Sequence, residues 1–154
     1  NKAGLFNPAQ SNAELVAKLS KLPLAFQPGT TWDYSMSTDV LGAVIERVSG
    51  QTLDIFLAER VTRPLGMKDT GFWVDPAQQG RIAEPFELDP DTKAPARVPD
   101  VRKQPRFLSG GGGMVSTAPD YLRFTQMLLN GGELDGVRIL SRKAIDLMTS
   151  DQLG

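Results

Sequence analysis

The stretch FQPGTTWDYSMSTDVLGAVIERVSG, residues 26–50, carries the clearest helix signal in the chain. Ser37 or Thr38 is placed to cap a helix, and Gly50 stands where a left-handed residue commonly ends one. Between them, five apolar residues recur with a helical period: Val40, Leu41, Val44, Ile45 and Val48. The stretch therefore predicts an amphipathic helix that is entered through Trp-Asp-Tyr-Ser.

Trp32 and Tyr34, just ahead of this helix, have two interpretations that the local sequence leaves open. They alternate as residues of a short strand do, which favours packing beneath the helix. Alternatively, Tyr34 is a catalytic group presented at the N-terminus of the helix. The chain contains no histidine, so acid–base chemistry near neutral pH would need a lysine, a tyrosine or a carboxylate.

The composition excludes several classes of function. The 154 residues include neither histidine nor cysteine, so they cannot form a Ser-His-Asp triad, a cysteine nucleophile or the usual zinc sites. Seventeen basic and 18 acidic residues give a net charge of −1, without a basic run that would favour nucleic-acid binding. No apolar stretch approaches the roughly 18 residues of a membrane span. We predict no metal, no cofactor, no nucleic-acid partner and no membrane span.

The remaining helix signals make the predicted fold class mostly α with a few short strands. Ser11 and Glu14 form a capping box for a first helix, which ends before Pro23 and whose apolar face is Leu15, Val16, Leu19 and Leu22. A third helix is predicted from Thr52 to about Arg63, with Leu53, Phe56, Leu57 and Val61 facing inward.

The second half of the chain predicts two more helices and a hairpin. Thr117 and Asp120 form a capping box for a helix over about 118–130, with Tyr121, Phe124 and Leu128 on one face. Asp135-Gly136 marks the apex of a hairpin-like turn, and Ser141 caps a last helix through Thr149.

Residues 70–108 are irregular. TGFWVDP, residues 70–76, predicts a short strand or extended turn in which Phe72, Trp73 and Val74 pack. Residues 77–108 predict a crossing segment that forms an ordered wall, because prolines recur without a period at Pro85, Pro90, Pro95, Pro99 and Pro105. We treat 1–154 as one unit, and its first and last residues suggest a segment of a larger protein.

Four consecutive glycines, residues 110–113, form the most conspicuous low-complexity feature. No Lys-Ser or Lys-Thr follows them, and their spacing fits neither a P-loop nor a dinucleotide-binding fingerprint. They predict a backbone that passes close to a substrate pocket or to a neighbouring element. Separately, no lysine of the chain has a serine three residues before it, so Ser-x-x-Lys is absent, as is Lys-Thr-Gly.

Two longer stretches resemble one known family. Residues 26–72, which end in RPLGMKDTGF, resemble the middle of the serine hydrolases related to class C β-lactamases and penicillin-binding proteins. Residues 109–141, SGGGGMVSTAPDYLRFTQMLLNGGELDGVRILS, resemble the later helical part of the same family. The resemblance is strongest to the family VIII carboxylesterases. It implies the helical lobe of the α/β β-lactamase/transpeptidase-like fold, with the sheet elsewhere.

The resemblance also implies a chemistry. The family uses a Ser-x-x-Lys pair, a Tyr-x-Asn or Tyr-Ser-x element, and a Lys-Thr-Gly or related element. Only the second maps onto this chain, at Tyr34-Ser35-Met36, which makes Tyr34 the expected general base. Met36 stands where β-lactamases have an asparagine that holds the acylamino group of the substrate, and methionine cannot make that hydrogen bond. The expected reaction is therefore ester cleavage through a serine acyl-enzyme.

The candidate substrate-binding residues implied by this reading are Trp32, Ser35, Met36, Phe107 and Met114. Trp32, Phe107 and Met114 could line an apolar acyl pocket, although each is equally consistent with core packing. We expect the chain by itself to be inactive, since the other two motifs would lie before Asn1 and after Gly154. Its expected partners are a small ester or β-lactam-like substrate, the remainder of the parent protein, and a second copy through exposed apolar faces.

Three alternatives to the esterase hypothesis remain at this stage. The protein could be a β-lactamase, a D-amino-acid peptidase or amidase, or a penicillin-binding-like module that does not catalyse turnover. A cytoplasmic and a periplasmic location are both compatible with the sequence.

Overall fold

The computed structural model describes residues 5, 7–84, 87–88, 91–94 and 100–152. In chain order the elements are α1 (Asn12–Leu19), α2 (Ser37–Ser49), α3 (Leu53–Leu57), a π-helical turn (Ala58–Thr62), a 3₁₀ helix (Pro76–Arg81), α4 (Ala118–Leu129), β1 (Glu133–Leu134), β2 (Val137–Arg138) and α5 (Arg142–Thr149). The predicted fold class, mostly α with short strands, is confirmed. Four prolines that mark the predicted crossing segment lie outside the described residues: Pro85, Pro90, Pro95 and Pro99.

The capping box at the start of α1 is confirmed. The Ser11 hydroxyl accepts a hydrogen bond from the Glu14 amide at 3.2 Å, and the Glu14 carboxylate accepts one from the Ser11 amide at 2.6 Å. The hydrogen bond from the Ser11 backbone holds the pKa of Glu14 below its usual value. The prediction for Leu22 is wrong: α1 already ends at Leu19, so Leu22 lies beyond the helix and is exposed.

The predicted cap of α2 is also wrong. Ser37 is the first residue of the helix, and Met36 occupies the N-cap position without a side-chain hydrogen bond. The Ser35 hydroxyl, two residues earlier, accepts a hydrogen bond from the Ser37 amide at 3.3 Å. The C-terminal prediction is confirmed, since Gly50 ends α2 with a φ of 71°. Local chemistry therefore fixes the end of this helix more firmly than its beginning.

The apolar stripe predicted for α2 is only partly buried. Leu41, Val44 and Val48 are exposed, and the buried residues of the helix are Asp39 and Gly42. Val40 and Ile45 are half-buried. The helix thus turns its small and acidic residues, rather than its full apolar stripe, toward the rest of the described chain. Self-association through the exposed face stays a prediction.

Helix α3 is joined to α2 by a side chain. Thr52 precedes α3 as predicted but forms no side-chain cap, and the Glu46 carboxylate of α2 accepts a hydrogen bond from the Leu53 amide at 3.0 Å. After five α-helical residues the helix continues as the π-helical turn to Thr62, so the predicted helix from Thr52 to about Arg63 is confirmed in extent.

Two apolar clusters form the core. The first contains Leu53, Phe72 and Leu108, with Ile45, Leu57 and Trp73 packed against them. The second contains Leu65, Met67 and Met127, with Val61, Phe124, Leu128, Leu134 and Ile139 packed against them. The first cluster joins α2 and α3 to the segment that precedes the glycines, and the second joins the π-helical turn to α4.

A buried carboxylate connects α4 to the irregular segment. The Thr117 hydroxyl caps α4 by accepting from the Asp120 amide at 3.4 Å, as predicted. The Asp120 side chain does not complete a capping box, because it accepts hydrogen bonds from the Asp69 amide at 2.7 Å and the Thr70 hydroxyl at 2.8 Å. Residues 70–76 contain one antiparallel bridge, Gly71 to Val115, followed by bends at Phe72 and Trp73, and Pro76 begins the 3₁₀ helix.

The hairpin and the last helix are confirmed. Leu134 pairs with Val137 in an antiparallel register, and both apex residues are left-handed, Asp135 with a φ of 50° and Gly136 with a φ of 78°. This geometry is the one that an Asp-Gly pair adopts in two-residue hairpins. The Ser141 hydroxyl caps α5 by accepting from the Ala144 amide at 3.1 Å.

Candidate active site

Trp32 and Tyr34 lie in the segment that leads into α2. Residues 31–35 have no regular secondary structure, and the exposed fractions of the two residues are 72% and 85%. The interpretation that they pack beneath the helix is therefore wrong. Within the described ranges of the chain, the Tyr34 hydroxyl has no hydrogen-bond partner. The phenol is open to solvent immediately before the N-terminal turn of α2.

The two residues after Tyr34 shape the entry into the helix. The hydroxyl oxygens of Ser35 and Ser37 lie 2.5 Å apart and share a hydrogen bond. The Ser35 hydroxyl therefore has its hydrogen-bond partner within the turn that leads into α2. Met36 is half-buried at the N-cap position, where its carbonyl accepts the first helical hydrogen bond, from Val40 at 3.0 Å.

The glycine loop (residues 109–113) lies against the first turns of α2. A Cβ atom added to Gly110 would come within 2.2 Å of the Thr38 carbonyl oxygen, and one added to Gly42 would lie 3.6 Å from the Gly110 Cα. The two backbones therefore touch without intervening side chains. This confirms the prediction that the glycines allow a close approach, and the neighbour is the helix that follows Tyr34.

Asp39 joins the glycine loop to α2. Its carboxylate is 8% exposed and accepts hydrogen bonds from the Ser109 hydroxyl at 2.5 Å and the Gly111 amide at 3.4 Å. It belongs to the first turn of the helix, where the helix dipole favours a negative charge. Among the residues that the structure describes, no lysine or arginine forms an ion pair with it.

A cleft begins where the glycine loop ends. Met114 lines a cavity of about 250 Å³ together with Ile55, Phe72 and Trp73. The same Met114 and Trp73 also line a wider open groove of about 1140 Å³ beside the 3₁₀ helix. Trp73 was predicted to be a packing residue, and the structure shows that it both packs on the first core cluster and faces this cleft.

Two ion pairs connect residues that line the wider groove. Arg81 donates two hydrogen bonds to the Asp69 carboxylate, at 2.8 and 2.7 Å, and Arg102 pairs with Glu84. The hydrogen bond from the Arg81 side chain is the main reason that the pKa of Asp69 lies below its usual value. The described part of the crossing segment thus lines the groove through residues 78, 81–84, 101 and 102.

The structure brings only some of the predicted site residues into one region. Trp32, Tyr34, Ser35 and Met36 precede α2, whose first turn contacts the glycine loop, and Met114 follows that loop into the cleft. Phe107 precedes the loop and is half-buried, and it does not line either cavity. In the described residues no group of three or more acidic side chains is arranged to hold a metal ion. Nor is any helix of the described ranges long and apolar enough to cross a membrane.

Comparison with known proteins gives the family. The family model described as Beta-lactamase matches residues 2–154. The chain belongs to the β-lactamase family.

Relatives of this chain include an uncharacterized protein and an esterase. An uncharacterized protein of Mycobacterium tuberculosis is 44% identical over 140 residues, which are 90% of this chain and 35% of that protein. The lovastatin esterase of Penicillium rubens is 32% identical over 158 residues, covering 99% of this chain and 39% of the esterase. The chain thus spans little more than a third of the length of these relatives.

A solved structure supports the same β-lactamase-type fold. EstCE1, described as a hydrolase with promiscuous acyltransferase activity, superposes on 96% of this chain and 43% of its own chain with a TM-score of 0.79 at 25% identity. The resemblance found in the sequence is confirmed, both as a family and as the helical part of a β-lactamase/transpeptidase-type fold.

Two features of the site were missed by sequence reasoning. Asp39 carries no motif of its own, and its partner Ser109 lies 70 positions away. Trp73 was assigned to packing because it sits in an apolar run. Only Asp39 has a signal in the sequence. It is an acidic residue in the first turn of a predicted helix, and no basic residue follows on the next turn to pair with its carboxylate.

Proposed function

We propose that the protein containing this chain hydrolyses carboxylic esters through a serine acyl-enzyme, with Tyr34 as general base. One observation carries the proposal: the Tyr34 side chain is exposed directly before α2, the first turn of α2 contacts the glycine loop, and Met114 after that loop lines a cleft. Membership of the β-lactamase family and the relatives that are esterases support it. The nucleophilic serine and its lysine would come from outside these 154 residues, which contain no Ser-x-x-Lys.

In the proposed reaction the Tyr34 phenolate takes the proton of the serine hydroxyl as the serine oxygen attacks the ester carbonyl carbon. The tetrahedral intermediate collapses with cleavage of the carbon–oxygen bond to the alcohol, and the phenol returns its proton to the departing oxygen. Water then attacks the acyl-enzyme, with Tyr34 again accepting the proton, and the serine oxygen leaves with that proton. The acid and the free serine are the products.

A phenol can act as this base near neutral pH only if positive charge favours its ionised form. Lowering an ordinary phenol pKa of about 10 by three units requires about 4 kcal/mol. The N-terminus of a helix such as α2 supplies about 0.3–1 kcal/mol, or up to about 2 kcal/mol where it is partly buried. A nearby cation has to supply the remainder, and the lysine of a Ser-x-x-Lys pair is the one that the family provides.

The apolar acyl group of the ester would enter the cleft lined by Trp73 and Met114. Met114 was predicted to take this role from the sequence, and the cavity of about 250 Å³ is large enough for a short acyl chain. Trp32 and Phe107, which were predicted for the same pocket, do not line it, nor do Ser35 and Met36, and all four remain predicted substrate contacts.

The isolated chain, residues 1–154, is expected to show no turnover of p-nitrophenyl butyrate, whereas the full-length protein hydrolyses it. The reason is that the nucleophile and the cation are both absent from the isolated chain. The assay follows release of p-nitrophenol, and circular dichroism verifies that the isolated chain is helical. Turnover by the folded isolated chain would mean that another nucleophile does the chemistry.

The main alternative, a β-lactamase or D-amino-acid amidase, predicts a different substrate preference. Met36 cannot donate to or accept from the acylamino group of a lactam, so kcat/KM of the full-length protein is expected to be at least about 10²-fold higher for p-nitrophenyl butyrate than for nitrocefin. A Met36→Asn variant is the matched test, since it should narrow that ratio. Equal or greater activity on nitrocefin would favour the alternative. Stable binding of a penicillin without turnover of either substrate would favour the non-catalytic penicillin-binding-like module.

A further inference from the structure

We propose that Asp39 is a positioning residue that holds Tyr34 at a fixed distance from the glycine loop. The inference rests on the proposed function, because it concerns the reaction in which Tyr34 is the base. Asp39 is a buried residue of α2 whose carboxylate accepts hydrogen bonds from the glycine loop, about 70 positions later in the sequence. The capping of α2 does not require these hydrogen bonds. The following observations support this role.

The first observation is the strength and direction of the contact. The Ser109 hydroxyl donates to the Asp39 Oδ1 atom at 2.5 Å, and the Gly111 amide approaches the same oxygen at 3.4 Å. Hydrogen bonds to a charged acceptor are shorter and stronger than neutral ones, and burial to 8% exposure shields this one from water. The Asp39 Oδ1 atom therefore accepts hydrogen bonds from two residues of the glycine loop, Ser109 and Gly111.

The second observation is that the area of contact between the loop and the first turns of α2 contains few side chains, although Leu108 before the loop is buried in the core and Val115 after it pairs with Gly71. The surfaces that touch are backbone atoms: Gly42 and Thr38 of the helix against Gly110 of the loop. Glycines supply no interlocking side chains and leave the backbone free to adopt many conformations. Between the two anchored flanks, the hydrogen bonds to Asp39 are therefore the side-chain contacts that join residues 109 and 111 to α2.

The third observation is what stands on each side of this contact. Tyr34 precedes Asp39 by five residues in the segment that enters α2, and Met114 follows the loop into the cleft. In the proposed reaction the acyl group of the substrate lies beside Met114 while Tyr34 acts on the serine. The substrate therefore extends across the contact between α2 and the glycine loop. Displacement of a reacting group by about 1 Å can cost about 10²-fold in rate, so a loosened loop should slow the chemistry even when the substrate still binds.

The test compares four variants in the full-length protein with p-nitrophenyl butyrate. Asp39→Ala is expected to lower kcat by about 10²-fold with KM changed by less than about threefold. Ser109→Ala should lower kcat by about tenfold, because one charge-assisted hydrogen bond is lost. Asp39→Asn keeps an acceptor oxygen for Ser109 and should retain kcat within about threefold of wild type.

Glu46→Ala is the matched control for stability. Glu46 lies on the same helix and accepts a hydrogen bond from the Leu53 amide at 3.0 Å, yet it contacts α3 and not the glycine loop. Its loss should lower the thermal midpoint as Asp39→Ala does but leave kcat per folded molecule unchanged. If Glu46→Ala and Asp39→Ala lower kcat equally, Asp39 has only a structural role.

A second measurement does not depend on catalysis. Hydrogen–deuterium exchange of peptides covering residues 109–113 should become faster in Asp39→Ala and Ser109→Ala than in wild type and Glu46→Ala. Unchanged exchange in both variants would show that Asp39 does not hold the glycine loop on α2. An inactive wild type would overturn the proposed function, and the exchange result would still decide whether Asp39 holds the loop. Should Asp39→Ala fail to fold, Ser109→Ala decides: wild-type kcat and wild-type exchange in that variant overturn the inference.

Discussion

Replacement of Tyr34 by phenylalanine is expected to lower the acylation rate of the full-length protein by about 10²- to 10⁴-fold, the usual contribution of general acid–base catalysis. The change removes one oxygen from a side chain that is 85% exposed, so the free energy of unfolding should change little. Stopped-flow release of p-nitrophenol measures acylation directly. The loss should be larger for an alkyl ester than for the p-nitrophenyl ester, because an alkoxide needs the returned proton and nitrophenolate does not.

Tyr121→Phe is the matched control, because the chain contains only two tyrosines. Tyr121 is 60% exposed on α4, with its ring centroid 6.2 Å from that of Phe124. The same chemical change there should leave the acylation rate within about twofold of wild type, as for most surface substitutions. Near-wild-type acylation by Tyr34→Phe would remove Tyr34 from the role of base, whereas the same loss for both esters would remove it only from the role of proton donor to the leaving alcohol.

The largest effect on stability is expected from Gly110→Ala. The new Cβ atom would lie 2.2 Å from the Thr38 carbonyl oxygen and 3.1 Å from its carbon, which are backbone atoms of α2. Neither the helix nor the loop can yield without breaking its own contacts, so the free energy of unfolding should fall by about 3 kcal/mol. Urea denaturation of the full-length protein measures the loss. Activity should fall as well, since the loop is pushed away from the segment that carries Tyr34.

Gly112→Ala serves as the comparison within the same loop. No atom lies within 4 Å of the position that its Cβ would occupy. The free energy of unfolding should therefore stay within about 0.5 kcal/mol of wild type. Equal stability of the two alanine variants would show that the loop does not pack on α2 as closely as the structure has it.

Several elements could be predicted from the sequence because their causes lie within a few residues. Ser11 and Glu14 satisfy one another's backbone amides three positions apart, and Asp135-Gly136 meets the backbone requirement of a two-residue hairpin. The mapping of Tyr34 likewise required only its immediate neighbours and the resemblance of the flanking motifs. Membership of the β-lactamase family confirmed that resemblance.

One error arose where a side chain found a partner far along the chain. Asp120 was assigned to a local capping box with Thr117, yet its carboxylate accepts from Asp69 and Thr70, some 50 positions away. Either arrangement provides hydrogen-bond donors for the carboxylate of an aspartate at the start of a helix. Only the packing of the irregular segment against α4 selects the bonds to Asp69 and Thr70. A second error has a different cause: the alternating pattern at Trp32 and Tyr34 fits a packed strand, but the structure leaves both side chains exposed.

The sequence by itself determined the helical character of the chain and most of the helix and turn boundaries, since short-range hydrogen bonding and backbone preference specify them, while the assignment of Tyr34 as candidate base came from the family resemblance and stays a prediction. Only the tertiary structure decided that Asp39 binds Ser109, that Gly110 rests on Thr38, and that Trp73 faces a cleft. Those three facts depend on how residues 109–113 pack on α2 and how residues 70–76 pack beside α3. Packing over such sequence separations is set by the sum of many apolar contacts, and no short stretch contains that sum.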